Sequence, residues 1–188
     1  MFQIDNRYLE EEIGLSNAIK RTGVYSAVIK KADIWKSEHS QSEALNLEIE
    51  TEDEKSARLS LFYKKKTGEE IEFNMRHINH LMYLLGVTNL KEGQDKLVPA
   101  LMGKKIGTII KVGKRDGEER EFYQYTLQGF FDPDTKMTAK EKSQNLKAEV
   151  VDKAIASYKN EKDVVLNESK KEDEVSGFYP VTDEEIPF

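Results

Sequence analysis

The stretch GVYSAVIKKADIW, residues 23–35, decides the fold of this chain. It is rich in Val, Ile, Ala and aromatic residues, which predicts a long β-strand. Its apolar residues fall on both parities, because Val28 and Ile34 are even-numbered whereas Ile29 and Trp35 are odd-numbered. A regular strand buries one parity, so we predict a bulge or bend midway that changes the buried face. Such a bend favours a barrel over a flat sheet.

Four more strands follow from the apolar pattern. Alternation of apolar and polar residues predicts half-buried strands around residues 45–49 and 57–63. Two further strands are predicted around residues 106–112 and 121–131, joined by a hairpin turn at residues 115–117.

One helix is predicted between the third and fourth of these five strands. Ile78 and Leu81 follow helical spacing, Asn74 is a suitable N-cap, and Gly86 can end the helix. A brief extra strand is expected at residues 71–73. Five main strands with a helix between the third and fourth are the layout of the OB-fold, a small, partly open barrel. A small antiparallel α+β sheet is the alternative. The predicted class is therefore mainly β, a five-stranded OB-fold barrel with an inserted helix, plus a C-terminal helix and a disordered acidic tail.

Composition divides the chain into four parts. Residues 1–22 are polar and acidic and are predicted to be an N-terminal arm, and residues 23–131 form the OB-fold domain. Residues 132–160 are predicted to be a linker that carries a charged helix over residues 138–159. Residues 161–188 turn acidic and polar, which predicts a disordered tail.

Charge is distributed unevenly along the chain. The formal net charge is −6. Residues 1–131 hold 20 basic and 21 acidic side chains, a net of −1, whereas residues 132–188 hold 9 and 14, a net of −5. The front domain is thus nearly neutral and can carry a basic face although the whole chain is acidic.

The composition also bears on cellular location. There are no cysteines, which excludes disulfides and thiolate metal sites and fits a reducing cytoplasm, where we expect the protein. The N-terminus carries Glu10, Glu11 and Glu12 without an apolar stretch, so no secretory signal is expected. No apolar run approaches the ~20 residues needed to span a bilayer, and no membrane partner is expected.

Aromatic and basic side chains occur together in the predicted barrel. Binding of a single strand without sequence preference needs cations along the phosphate path and flat rings on which bases stack. Phe62 lies on the outward parity of its strand, between Arg58 and Lys64. The candidate residues for binding single-stranded DNA are Tyr25, Lys30, Lys31, Trp35, Lys36, Arg58, Phe62, Lys64, Lys65, Lys66, Lys105, Lys111, Lys114, Arg115 and Phe122.

Core packing is the alternative role for each ring. We favour the core for Tyr63, Phe73 and Tyr125, because their parity matches that of Leu and Ile neighbours. We favour stacking for Phe62 and Phe122. Both roles stay open for Trp35 and Tyr25.

Two patterns raise the question of metal or catalysis. His77 and His80 lie three residues apart on the predicted helix and could share a metal, but exposed or capping roles fit better. Glu48, Glu50 and Glu52 share one strand face and could hold Mg²⁺ for a nuclease, but a solvated strand face is the better interpretation. We therefore expect no metal, no cofactor and no enzymatic activity.

The printed sequence finishes with a short acidic and apolar motif. A Phe at a chain end offers both a ring for an apolar pocket and a carboxylate for an Arg or Lys. The residues of this motif are Asp183, Glu184, Glu185, Ile186, Pro187 and Phe188. A few acids followed by Ile-Pro-Phe resemble the acidic tip of bacterial single-stranded-DNA-binding proteins.

Domain and tip together make the chain similar to a single-stranded-DNA-binding protein, in particular to those of bacteriophages and prophages. The resemblance implies a domain that binds single-stranded DNA without sequence specificity. It also implies a tip that recruits replication, recombination or repair proteins of the host, and a homo-oligomer, dimeric or higher. The chain lacks the family's usual N-terminal opening, and its linker is charged instead of rich in Gly, Gln and Pro, so the family's tetramer is not carried over. A protein-interaction adaptor that does not itself bind DNA is the alternative.

Overall fold

The computed structural model describes residues 17–117 and 121–166 of the chain. These residues contain five strands and three helices. The strands are β1 (Gly23–Lys36), β2 (Glu43–Thr51), β3 (Ser56–Lys64), β4 (Lys105–Asp116) and β5 (Glu121–Phe131). The helices are α1 (Glu72–Leu85), α2 (Ala139–Ser143) and α3 (Val150–Tyr158), and a 3-10 turn at Gln94–Lys96 precedes β4. None of the helices in these ranges is long and apolar enough to cross a bilayer.

The strands form one antiparallel sheet in the order β3-β2-β1-β4-β5. The two edge strands, β3 and β5, lie against each other, so the sheet curls into a partly open barrel. Helix α1 connects β3 to β4 and packs on both β3 and β5. This is the strand order and helix position of the OB-fold. The predicted fold class is confirmed.

The predicted bend in β1 is a bulge at Lys30. The register against β2 shifts at this residue, which has no partner in the ladder. Before the bulge the odd-numbered Ala27 and Ile29 are buried, and after it the even-numbered Ala32 and Ile34 are buried. One extra residue reverses which face of the strand points inward. The bulge therefore accounts for the mixed parity in the sequence.

The folded part reaches beyond residues 23–131 at both ends. Ile19 is fully buried in the core of the barrel, and Val151 is buried against the outside of the sheet. Further along, the backbone N–H of Val164 donates a 2.7 Å hydrogen bond to the carbonyl of Lys20. The predicted arm and linker thus both contribute packing to the domain. Residues 167–188, with most of the predicted tail, lie outside the described residues.

Helix α1 begins earlier than predicted. Its N-cap is Ile71, so the expected strand at residues 71–73 and the expected cap at Asn74 are both wrong. The backbone N–H of Asn74 already bonds to the carbonyl of Ile71, which closes the first helical turn. The side chain of Asn74 instead donates to the carbonyl of Phe62 at 2.7 Å and ties the helix to β3. Gly86 ends the helix at φ 64°, as predicted.

The continuous helix predicted over residues 138–159 is also wrong. The structure has α2 and α3, separated by residues 144–149. Asn145 has φ 56°, in the left-handed region that a helix cannot continue through. The carboxylate of Glu141 in α2 accepts backbone hydrogen bonds from the start of α3 and so joins the two helices. The break allows α3 to turn back onto the barrel.

Helix α3 covers part of the outer surface of the sheet. Val151 packs against Ile109 of β4 and Phe131 of β5 in a small apolar cluster, and Ala154 and Tyr158 lie at its edge. Burial of this apolar face stabilises a helix that is too short to persist alone.

Gly107 is required beneath the ring of Phe131. The two residues are cross-strand partners in β4 and β5, and a Cβ added at Gly107 would overlap the buried ring. We expect Gly107→Ala to lower the free energy of unfolding by about 1–3 kcal/mol, because the ring is confined by Val151. Urea denaturation followed by circular dichroism measures this. Gly113→Ala on the same strand is the control, since its added Cβ meets open space. Equal stability of the two variants would contradict the overlap.

Candidate nucleic-acid interface

Trp35 and Phe62 form an exposed aromatic pair on the outer surface of β1, β2 and β3. The ladder places Trp35 opposite Ala44, and Ala44 opposite Phe62. The two ring centroids are 5.8 Å apart with an interplanar angle of 72°, an edge-to-face contact. Trp35 is 42% exposed and Phe62 45%, whereas Ala44 between them is only 1% exposed. The rings thus cover Ala44 and present a continuous apolar surface to solvent.

The outward direction of each ring has its own cause. In β3, Leu61 is buried and the strict alternation puts Phe62 on the opposite face, as predicted. In β1 the bulge at Lys30 decides the direction. Without it the odd-numbered residues would continue inward as Ile29 does, and Trp35 would lie in the core.

A polar ladder crosses the same surface one row away from the aromatic pair. Asp33, Asn46 and Ser60 are successive partners across β1, β2 and β3. The Nδ2 of Asn46 donates to Oδ2 of Asp33 at 2.9 Å, and the hydroxyl of Ser60 donates to Oδ1 of Asn46 at 2.8 Å. Asn46 is only 5% exposed. The amino-acid sequence does not reveal this ladder, because it signals only the outward parity of these residues, whereas their pairing depends on the register of the strands.

The next row along the strands brings two predicted cations together. Lys31 and Arg58 lie on either side of Glu48 in the ladder. Neither cation makes an ion pair with any residue in the described ranges. Beside this row, Lys30 pairs with Glu50 at 2.9 Å. Lys31 and Arg58 are therefore the cations of this surface that are available to an anionic ligand.

Three other predicted cations near the aromatic pair are bound to carboxylates. The pairs are Lys36–Glu92 at 2.5 Å, Lys64–Glu43 at 3.0 Å and Lys65–Glu69 at 2.9 Å. The hydrogen bond to Glu92 raises the pKa of Lys36, and hydrogen bonds from Tyr63 and then Lys64 lower the pKa of Glu43. Lys66 is exposed in the following turn. A phosphate would compete with these acids, although exposed pairs of this kind contribute little stability.

The predicted residues on β4 and β5 form a second surface. Phe122 is exposed and lies opposite Arg115, while Lys114 pairs with Glu121 at 3.0 Å. Two further cations point outward from β4, namely Lys105 and Lys111. Strand β1 pairs with β4 only over residues 23–28, so the ladder rows through Trp35 do not reach these side chains. The structure thus separates most of the candidates into two groups; Lys105 lines a pocket together with Lys30 of the first surface, and Tyr25 belongs to neither group.

Tyr25 does not belong to the exposed surface. Its ring packs against the core, and its hydroxyl donates to the backbone carbonyl of Arg21. Burial raises the pKa of this phenol. Tyr25 precedes the bulge, so its odd parity points inward with Ala27. Of the two roles left open for Tyr25, the structure shows core packing, so its place among the candidate DNA-binding residues is corrected.

The three rings assigned to the core behave differently. Tyr63 and Tyr125 pack against it as predicted. The assignment of Phe73 is wrong, since it is 55% exposed. It lies in the first turn of α1 instead of a strand, so strand parity does not apply to it.

The exposed or capping role expected for His77 is wrong, because its side chain is buried on the inner side of α1 and is only 7% exposed. Its ring lies edge-to-face with Phe73 at 4.6 Å and with Phe130 at 6.4 Å. Neither ring nitrogen has a hydrogen-bond partner among the residues that the structure describes. Burial lowers the pKa of His77, and the charges of His80 and Arg76 lower it further. The described ranges contain no cluster of His, Asp or Glu that could hold a metal.

This burial predicts a loss of stability in mild acid. The pKa of folded His77 lies below 6.5, so the unfolded chain binds more protons as the pH falls below that value. The free energy of unfolding should decrease from pH 7.5 to 5.5. His77→Phe should decrease less, and at pH 7.5 should gain up to about 1 kcal/mol, because an unsatisfied polar ring is removed. Thermal unfolding at both pH values tests this, with the exposed His39→Gln as control. An unchanged pH dependence in His77→Phe would refute the assignment.

The acidic residues considered for a nuclease have other surroundings. Glu50 pairs with Lys30, and Glu48 lies between two cations in the ladder. Glu52 is beyond the end of β2, in the turn.

Comparisons with known proteins find similarity at the level of structure and not of sequence. No protein-family profile matches the chain, and no curated protein matches it. A solved structure titled "Yeast RPA bound to ssDNA" is similar over 75% of this chain and 95% of that chain, with 14% sequence identity and a TM-score of 0.34.

Proposed function

We propose that this protein binds single-stranded DNA on the outer surface of β1, β2 and β3. The observation that carries the proposal is the aromatic pair of Trp35 and Phe62, two rings that are more than 40% exposed and lie in one row of an OB-fold barrel, on either side of Ala44. Apolar rings left open to solvent are costly for a folded protein but suit the stacking of bases, at about 1–3 kcal/mol per base.

The cations are placed to contact the phosphates of a strand stacked there. Lys31 and Arg58 lie four residues from Trp35 and Phe62 along their strands, roughly 13 Å at the usual rise per residue. Two unpaired cations would give a shallow salt dependence, with a slope of log affinity against log salt of about −1.4 for a single strand. Stacking therefore contributes more to this interface than charge, and stacking accepts every base.

A titration monitored by fluorescence tests the proposal. Trp35 is the only tryptophan in the chain, so its emission reports on this surface directly. Oligo-dT should quench the emission, and salt should weaken the binding with the shallow slope above. A duplex of equal length should bind much more weakly, because its bases are already stacked. Absence of both quenching and binding would reject the proposal and favour the adaptor function.

The C-terminal motif extends the proposal to protein partners. We propose that residues 183–188, which lie outside the described residues, recruit replication, recombination or repair proteins. The resemblance of the motif to the acidic tip of bacterial single-stranded-DNA-binding proteins supports this. Pull-down from a bacterial lysate by the full chain and by a variant lacking Phe188 tests it. Partners should be retained only by the full chain.

Self-association belongs to the same proposal. Leu146, Val150 and Ile155 are exposed apolar side chains at and near α3, and a second copy of the chain could cover them. Size-exclusion chromatography with light scattering measures the mass, and a monomeric mass at high concentration would remove this part of the proposal.

A further inference from the structure

From the polar ladder we infer that the proposed interface discriminates among bases and prefers cytosine to thymine. This inference rests on the proposed function, because it concerns a base stacked on the aromatic pair. The ladder of Asp33, Asn46 and Ser60 lies two residues from Trp35 and Phe62 along the strands, roughly 7 Å away. That distance brings the edge of a stacked base next to the ladder.

The hydrogen bonds of the ladder have a defined direction. An ionised carboxylate only accepts, so Asn46 must turn its amide nitrogen toward Asp33. The amide oxygen then faces Ser60, whose hydroxyl proton is used in donating to it. The direction runs from Ser60 through Asn46 to Asp33, and the burial of Asn46 maintains it.

As a consequence, both open ends of the ladder are acceptors. Oδ1 of Asp33 has no hydrogen-bond partner in the described ranges, and the hydroxyl oxygen of Ser60 retains only lone pairs. A carboxylate on a DNA-binding surface repels phosphates, so its favourable ligand there is a hydrogen-bond donor on a base. The chemistry of the ladder therefore selects bases that present donors.

Pyrimidines differ in this respect. Cytosine presents an exocyclic amino group. In protein–DNA complexes this group donates a hydrogen bond to Asp or Glu carboxylates. Thymine has carbonyl oxygens on both sides of its single N–H, and these would face the carboxylate of Asp33. The two bases are similar in size, so a difference between them reports on the base edge more than on stacking.

Competition between oligo-dC and oligo-dT of equal length tests the inference. At pH 8, where cytosine is unprotonated, oligo-dC should bind about tenfold more tightly, as expected for one additional hydrogen bond to a charged group. Asp33→Asn should abolish the preference, because the new amide can donate as well as accept. Ser60→Ala changes the surface less than Asp33→Asn does, and it should reduce the preference for oligo-dC without abolishing it.

The matched control removes a charge from the same surface without altering the ladder. Glu48→Gln is this control, because Glu48 lies in the row next to the ladder. It should strengthen binding to both oligonucleotides alike and keep the preference for dC. Equal affinity for dC and dT in the unsubstituted protein, or retention of the preference in Asp33→Asn, would overturn the inference and leave the proposed function standing. Failure to bind either oligonucleotide would overturn both.

Discussion

Phe62→Ala is expected to weaken binding of oligo-dT by tenfold or more. The substitution removes one stacking surface, worth about 1–3 kcal/mol per base, and a loss of 1.4 kcal/mol is already tenfold. It also exposes Ala44 and leaves Trp35 without its edge-to-face partner. Anisotropy of a labelled oligonucleotide measures the affinity independently of tryptophan emission. Because Phe62 is nearly half exposed, the free energy of unfolding should change by less than 1 kcal/mol.

Tyr83→Ala is the matched control for Phe62→Ala. Tyr83 is an exposed ring of similar size on α1, away from the outer surface of β1, β2 and β3. Its removal should leave the affinity for oligo-dT unchanged. Trp35→Ala should resemble Phe62→Ala, and the double variant should lose less than the sum of the two, since the rings touch. Equal effects of Tyr83→Ala and Phe62→Ala would show that the bases stack elsewhere.

Glu141→Gln is expected to lower the free energy of unfolding by about 2–3 kcal/mol at pH 7. The carboxylate is buried, and burial alone raises its pKa. Backbone N–H groups of Glu149, Thr138 and Val150 and the Thr138 hydroxyl donate to it at 2.8–3.0 Å and lower the pKa to about 2. A glutamine has one acceptor oxygen in place of two and cannot satisfy both helices. The docking of α3 on the barrel should weaken.

The pH dependence of the free energy of unfolding shows whether the Glu141 carboxylate is the source of this stabilisation. Its pKa is about 2 in the folded protein against 4.5 for an ordinary Glu, so the unfolded chain binds the proton first as the pH falls. The stabilisation is complete above pH 4.5 and is lost between about pH 4.5 and pH 2. Each pKa unit corresponds to about 1.4 kcal/mol, so the lowering from 4.5 to about 2 sets an upper limit of about 3.5 kcal/mol on the effect.

Urea denaturation at pH 7 and pH 3 measures the contribution of the Glu141 carboxylate to the free energy of unfolding. The unsubstituted protein should lose stability between the two values, and Glu141→Gln should lose less. Glu149→Gln is the control, because the exposed carboxylate of Glu149 forms an ion pair with Lys153 and with no other residue of the described ranges. A Glu141→Gln protein with the same stability as Glu149→Gln at pH 7 would contradict the role of this carboxylate.

Much of the barrel could be predicted from local patterns. Leu59 and Leu61 alternate with Ser60 and Phe62, and a period of two has one structural interpretation when one face of a sheet is buried. The apolar residues on both sides of Lys30 change parity, and a bulge explains this change with a single extra residue. These signals are carried by neighbouring residues, so the strands, the bend and the outward direction of Phe62 needed no knowledge of the rest of the molecule.

Tertiary structure alone decided the remaining features, since each depends on residues far apart in the sequence. Helical periodicity over residues 138–159 could not reveal that the carboxylate of Glu141 would end one helix and begin another, because burying Val151 requires the distant strands β4 and β5. The sequence also does not show that Trp35 packs against Phe62. The connections at residues 37–42 and 52–55 set the register that places Trp35 beside Phe62, and the first of them aligns Asp33 with Asn46. Sequence determines which residues face outward, because alternation is local. Register determines which of them meet, because it is the sum of every turn and bulge between them.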